Sequence, residues 1–421
     1  MHEELLEQMV QRLGAEIKSL HGQVAQGRVS AATVEGLVRQ RLWHFGGQVT
    51  GVLLEALDRQ LVAGRPVHDR RTRTVVTLFG PVDLTRCRCQ DGGYPLDEAL
   101  GLLGQHSWTT GVQEAAALLS CECGFETAGE LLERLLGVVL RGPSVQVAAE
   151  EAGRRAAEVL AAQPPAANTA AGRTLIVAVD GCQAPERDGW HEVKVGTLYA
   201  NEARYRTGGG RGRVLTREYL ATQEDAAGFG RQLWARAETW QAPSARRVVV
   251  MGDGAPWIWN QAAEHFPGAV EIVDFYHAVE HLWAAGEALW GDRERSAATR
   301  GWVRKWRHEL RHGGVARVIA ALEQAQRRRA VSLSASAATV VRRNLEYFRT
   351  NQERMKYDQY RRWRLPIGTG AVEGSCKFVV QSRFKRPGSR WSHDGLGRML
   401  ALKLMRLNGL WETLWPHLRA A

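Results

Sequence analysis

Two short stretches limit what this chain can fold into more than any other part of its 421 residues: "TLIVAVDG" (174–181) and "RRVVVMGDG" (246–254). Each is an apolar run that ends in Asp and then Gly. A continuous apolar run of this length reads as a strand buried in a sheet, and the Gly lets the backbone turn straight after the carboxylate. "VEIVDF" (270–275), "HEVKVGTLY" and "RVLTREYLAT" read as further strands, and "FGRQLWARAETW" and "PWIWNQAAEHF" read as helices. Three strands, helix, strand, helix, strand is a mixed α/β order. From Tyr276 to Gln352 the pattern is almost wholly helical, which predicts an α-helical insertion over 276–365 within a sheet domain built from 174–275 and 366–421.

Upstream, "AAQPPAANTAAGR" (161–173) has the small residues and Pro pair of a linker. Residues 1–160 before it read as mainly helical, interrupted by a β-hairpin over about 73–89 that turns at Gly80-Pro81. Apolar residues recur at helical spacing over Glu126–Leu136 and Ser144–Ala161, with "GVVLRGPS" between. That is the layout of a helix-turn-helix, and equally of a plain helical hairpin.

Arg and Lys number 56 against 45 Asp and Glu, a net charge of +11, which favours a polyanionic partner over a merely well-solvated basic surface. The acidic, amphipathic start "MHEELLEQMVQRLGAEI" lacks the form of a signal peptide, and no apolar run approaches the length of a membrane span. The expectation is a cytoplasmic protein with no membrane partner. Six cysteines are too few for a disulfide scaffold. Cys87 and Cys89, like Cys121 and Cys123, have a C-x-C spacing poorly suited to a structural zinc, although zinc stays open for them.

Asp180 and Asp253 are the first candidates for chemistry, because ligands of α/β sheets sit at the carboxyl ends of strands. If their strands are neighbours, both carboxylates emerge at one edge; otherwise each simply caps a turn. Glu373 is the one acid between Arg361 and Trp391, a stretch with eight Arg or Lys residues. It lies in a Gly-rich entry to a helix whose Phe378, Val379 and Val380 are expected to face a core. A first-turn Glu is also what the helix dipole favours without any catalysis. Three such carboxylates would hold two hard divalent cations able to activate a water or 3′-hydroxyl for phosphodiester cleavage. Arg361, Arg362, Arg364, Lys377, Arg383, Lys385, Arg386 and Arg390 would then form a DNA track, with Trp391 and Trp363 placed to stack on unpaired bases. His277 and His281 at i and i+4, with Asp274, form a weaker transition-metal candidate without a fourth ligand, and Asp188 and Glu192 are weaker acids near Asp180. Cys182 and Cys376 flank Asp180 and Glu373, but no base is placed to make either a nucleophile.

The stretches "VDG" with "WHEVKVG", "GDGAPWIWN", "DFYHAVEHLW", "IGTGAVEGSCK" and "RFKRPGSRW" resemble ISKra-type insertion-sequence transposases, related to the Mutator-like group of DDE transposases. The likeness runs through most of 173–415 and, more loosely, through "GGYPLDEALGLL". It implies an RNase H-like catalytic domain with an α-helical insertion, preceded by a mainly helical DNA-binding region. Asp180, Asp253 and Glu373 would be catalytic and metal-binding, with Asp274 and His277 in support as an Asp-x-x-His variant. It further implies two Mg²⁺ ions per site, with Mn²⁺ able to substitute, and double-stranded DNA as partner, both terminal inverted repeats and target. A homodimer or higher oligomer at the bacterial nucleoid follows from the same likeness. Relatives often carry C-x-x-C near the hairpin, from which this chain departs. A catalytically silent DNA-binding relative and an RNase H-like structure-specific nuclease are the alternatives.

Overall fold

The computed structural model describes residues 2–102, 106–162, 169–206, 212–290, 296–329, 333–368 and 370–416. The chain forms two compact units, Met1–Ala157 with Trp411–Ala421, and Glu158–Leu410.

The first unit runs α1 (His2–Ala25), α2 (Ala31–Leu61), a hairpin of β1 (Val67–Thr77) and β2 (Gly80–Cys89), then α3 (Pro95–Ala99), α4 (Thr110–Ser120), α5 (Phe125–Leu136) and the start of α6 (Gly142–Ala162). The hairpin begins at Val67 and its loop is Leu78-Phe79, because Thr77 pairs with Gly80 and Val76 with Pro81. Gly80, at φ 92°, takes the left-handed conformation directly after the loop, where a side chain would be strained. Leu84 and Val75 from the hairpin pack with Leu96 and Leu102 against Leu54, Leu57 and Leu61 of α2. A second core joins Val112 and Ala116 to Ala128, Leu132 and Val145 of the α5–α6 pair. Gly137, in the left-handed region, ends α5.

Charge argues against phosphate contact by that pair. Residues 126–161 hold four Arg against six Asp and Glu, and residues 1–160 hold 16 Arg and Lys against 20 Asp and Glu. Cys87, Cys89 and Cys121 are buried and Cys123 is half-buried. None of them belongs to a metal-spaced group among the described residues.

In the second unit, β3 (Thr174–Glu186) and β4 (Gly189–Ala200) form a long antiparallel hairpin. A small hairpin of β5 (Arg204–Arg206) and β6 (Gly212–Val214) follows, then β7 (Glu218–Thr222), α7 (Ala226–Thr239), β8 (Arg247–Gly252), α8 (Pro256–His265) and β9 (Val270–Val273). "RVLTREYLAT" therefore divides between β6 and β7 and is not one strand. The sheet order is β7-β4-β3-β8-β9, with β8 parallel to β3 and β9 parallel to β8. This mixed five-stranded sheet, preceded by a helical region and interrupted by helices, is the RNase H-like fold.

Side chains of β3 and β8 are apolar on both faces because helices cover both. α7 lies so close over β4 that a Cβ on Gly196 would meet Leu233 at 2.9 Å and the Phe229 ring at 3.4 Å. Asn408 closes the outer edge by accepting from Tyr219 N at 2.8 Å and donating to Tyr219 O at 2.9 Å. The helical insertion comprises α9 (Phe275–Trp290), α10 (Ala297–Arg311), α11 (Val315–Arg329), α12 (Ala335–Asn351) and α13 (Tyr357–Arg362). The chain then returns through α14 (Gly370–Ser375), a π-helical turn (Cys376–Gln381), α15 (Ser382–Phe384) and α16 (His393–Leu407); α17 (Trp411–Leu414) belongs to the first unit.

Of the compositional linker, residues 163–168 lie outside the described residues. Its last part is packed: Ala170 is fully buried and donates to Trp240 O at 2.8 Å, and Gly172 donates to Ser244 O at 2.9 Å. Backbone pairing of this kind leaves no trace in composition. Phe229, wholly buried between helix and sheet, carries much of this packing. Phe229→Ala is expected to lower unfolding free energy by about 3–5 kcal/mol, read from a urea melt; a loss under about 1 kcal/mol would show that the site collapses around the void.

Candidate functional site

Strand register brings the acids together. Ala178 pairs with Met251, so two residues further along each strand Asp180 and Asp253 stand side by side. Gly252 pairs with Val273, which puts Asp274 beside Asp253 in the same way. Three carboxylates from three separate apolar runs thus share one level where β8 and β9 end.

Their partners separate them. Asp274 is buried, and its Oδ1 accepts from the N–H groups of Tyr276 at 2.5 Å and His277 at 2.9 Å, so it caps the first turn of α9. Asp253 Oδ1 accepts from Ala255 N at 2.9 Å. Asp180 Oδ1 accepts from Gly181 N at 2.8 Å, and its Oδ2 from the Cys376 thiol at 3.2 Å. Burial raises the Asp180 pKa and the Asp253 charge adds to this, while the Cys376 hydrogen bond and His277 oppose it. No ion pair to Asp180 or Asp253 occurs among the described residues. Neighbouring carboxylates that lack a cationic partner, with only oxygen donors, suit a hard divalent ion such as Mg²⁺ or Mn²⁺.

Cys376 and Cys182 interact directly, and the Cys376 thiol is pushed up by that hydrogen bond, by burial and by Asp180. It therefore acts as a donor to Asp180 and not as a nucleophile. Glu373 lies in α14, and its side chain is outside the described residues. Around it, the Ser375 and Thr197 hydroxyls share a buried 2.7 Å hydrogen bond that ties α14 to β4. Val379 and Val380 are fully buried, but Phe378 is 53% exposed, correcting the expectation that all three face a core. Successive helical residues are rotated too far apart for three in a row to share one face.

The basic segment divides as well. Arg361, Arg362, Arg364, Lys377, Lys385, Arg386 and Arg390 are exposed, with Arg362 paired to Asp358 at 2.9 Å. Arg383 is only 2% exposed, its guanidinium 4.9 Å from the centre of the Trp391 ring. Trp391 is 6% exposed; its indole donates to Phe384 O at 3.2 Å and its backbone pairs with Pro185 and Arg187. Neither can meet DNA as expected: their planar groups stack on each other inside the fold. Trp363 keeps partial exposure, with Arg247 over its ring at 4.6 Å.

The Asp274, His277 and His281 set does not form a metal-spaced group. His277 sits 3.4 Å from Glu280, while His281 bonds Asn344 Oδ1 at 2.6 Å and stacks on Tyr347 with ring centres 3.5 Å apart. The described residues do contain one such group, Glu186, Asp188 and His191 around the β3–β4 turn, with ligand atoms all within 4.8 Å. Glu186 there is buried and accepts from Gln223 at 3.0 Å; Glu192 pairs instead with Lys194 at 3.1 Å.

Tyr347 of α12 carried no signal in the sequence, yet its hydroxyl donates to Asp253 O at 2.8 Å. A Cβ on Gly254, at φ 109°, would meet its ring at 2.7 Å. Tyr347 also lines a groove of about 990 Å³ that opens beside Asp253 between α9 and α12.

An RNase H-like sheet with acids gathered where its central strands end, together with a compact Glu-Asp-His group, fits a nuclease-type active site. The chain belongs to the uncharacterised protein family UPF0236, whose model matches residues 27–415. It is similar to the "UPF0236 protein in vanSb 3'region" of Streptococcus gallolyticus, at 22% identity over 381 residues covering 86% of this chain and 80% of that one.

Two outcomes are expected from this geometry. Tyr347→Phe should lower stability by about 0.5–1.5 kcal/mol in a urea melt; no change would mean that the Asp253 loop is held without the hydroxyl. Burial pushes His281 down to about 4, so between pH 6.5 and 4 the unfolded chain binds the extra proton and stability falls as pH is lowered. His281→Gln should flatten that fall, and an unaltered slope would assign it to other groups.

Proposed function

We propose that this protein is the DDE transposase of a bacterial insertion sequence, cutting DNA at the element ends and joining the freed 3′-hydroxyl to target DNA. The observation that carries this reading is the common level of Asp180 and Asp253 on adjacent parallel strands, neither carboxylate forming an ion pair among the described residues. Glu373, on the helix tied to β4 through Ser375, would complete the acidic set. Bound at these carboxylates, two Mg²⁺ or Mn²⁺ ions would supply charge neutralisation for in-line attack on a phosphodiester.

The protein's own groups supply placement. Cys376 and Gly181 fix the two oxygens of Asp180, and Tyr347 and Ala255 fix the Asp253 loop. Arg361, Arg362, Arg364, Lys377, Lys385, Arg386 and Arg390 would contact phosphates of the terminal repeats and target duplex, while Arg383 and Trp391 brace the segment from within. A homodimer or larger assembly in the bacterial cytoplasm would hold two ends together.

An RNase H-like structure-specific nuclease would use the same carboxylates, and only the joining step separates the two. The test is to incubate the protein with DNA carrying the gene's own flanks, in Mg²⁺ and in EDTA, and to map new 3′ ends and joined products. Metal-dependent nicks at one position in each flank, followed by joining, are expected. Nicks without joining would favour the nuclease, and binding without cutting a silent relative. Asp253→Asn should abolish cleavage and leave duplex binding within about twofold, because it removes a metal ligand and no phosphate contact; parallel loss of binding would overturn its assignment.

A further inference from the structure

Positive charge is very unevenly spread along the chain. Residues 276–365, the helical insertion, hold 19 Arg and Lys against 9 Asp and Glu, and so carry 10 of the 11 net positive charges. The groove between α9 and α12 of this insertion also takes in the loop after β8, and is lined by Asp253, Glu280, His281, Arg342, Arg343, Glu346 and Tyr347 among others. Resting on the DNA-cutting reading above, we propose that this groove holds an unpaired DNA strand where it leaves the carboxylate site, and that it does not bind duplex.

Position, size, charge and lining each support that occupant. The groove begins at Asp253, so a strand seated there is continuous with a phosphate at the acids. Its volume of about 990 Å³ is that of a small-molecule site, which accommodates one or two nucleotides and excludes a double helix. Arg342 and Arg343 are exposed and have no carboxylate partner among the described residues, whereas Arg349, about two turns further along α12, is engaged by Glu323 at 2.7 Å and Glu346 at 3.8 Å. The two free guanidiniums are thus complementary to a phosphate backbone. The half-buried His281–Tyr347 stack, its imidazole kept neutral by burial, gives the aromatic surface on which a base can pack. The lining also holds the acids Glu280 and Glu346, so recognition would fall to the two arginines standing beside aromatic rings, the combination by which proteins hold single strands without reading sequence.

The test uses the full-length protein in EDTA, where no cutting interferes, and measures fluorescence anisotropy on two probes. One is a blunt duplex of the gene's flanking sequence, the other the same duplex with a tail of about six unpaired thymidines. The wild type should bind the tailed probe at least about fivefold more tightly, the low end for one stacked base. In the double variant Arg342→Gln/Arg343→Gln that ratio should fall to about one, with blunt-duplex affinity within about twofold and the salt slope on the tailed probe reduced by about 1.4, two single-strand phosphates. Circular dichroism of the variant confirms folding, and Arg349→Gln, outside the groove, should keep the wild-type ratio. A wild type without tail preference, a variant that keeps the preference, or equal loss on both probes would each overturn the groove assignment. Binding of neither probe by the wild type would instead overturn the DNA reading itself.

Discussion

The second unit is organised around carboxylates at one level of the sheet, of which Asp180 and Asp253 form no ion pair among the described residues. Parallel pairing of β3 with β8, and of β8 with β9, leaves no freedom in where Asp180, Asp253 and Asp274 stand. Like charges held this close in a half-buried setting oppose one another, which is why burial and Asp253 both raise Asp180. The fold relieves this repulsion unequally. Asp274 is absorbed as a helix cap by two backbone N–H groups, while Asp180 and Asp253 each receive one backbone N–H, with a weak thiol donor added at Asp180. The pair that is least satisfied is the pair left to bind something else.

That arrangement also explains the attachment of the insertion. A loop ending in a charged residue and a glycine at φ 109° has little to hold it, and α12 provides the hold through the Tyr347 hydroxyl and ring. The insertion is further tied to the sheet where Tyr357 and Tyr360 donate to the carbonyls of Val273 and Glu271. Tyr347 thus links α12, which lines the groove, directly to the loop that carries Asp253.

Much of this was legible in the sequence, for a definite physical reason. Apolar runs ending in Asp-Gly report burial and a turn, both local properties, so Asp180 and Asp253 and the strand order could be read directly. What could not be read depends on register and rotation. Asp274 reads as a supporting partner of His277, and only the N–H groups of Tyr276 and His277 reveal it as a helix cap. Arg383 and Trp391 look like surface DNA contacts because sequence shows their charge and ring without showing that they stack on each other inside the fold. Tyr347 is invisible because it lies 94 residues from the carbonyl it holds. Beyond Glu373 the chain is held by the two residues that follow Gly374, Ser375 anchored to Thr197 and Cys376 reaching Asp180, contacts that no local pattern announces.

Charge distribution then bears on which part of the chain would meet the proposed nucleic acid. A helical pair in the first unit invites comparison with a helix-turn-helix, yet its segment is net acidic, and two arginines of the adjoining hairpin, Arg73 and Arg86, are both committed to Asp97. Screening at physiological salt confines electrostatic attraction to roughly 8 Å, so a net charge matters only where it is concentrated. The concentration is in the insertion and in the exposed basic residues that follow it, on the same unit as the carboxylates. On the proposed reading, attraction and chemistry would lie on the same unit, and a phosphate drawn to the basic helices would be drawn towards the acids despite their own negative charge.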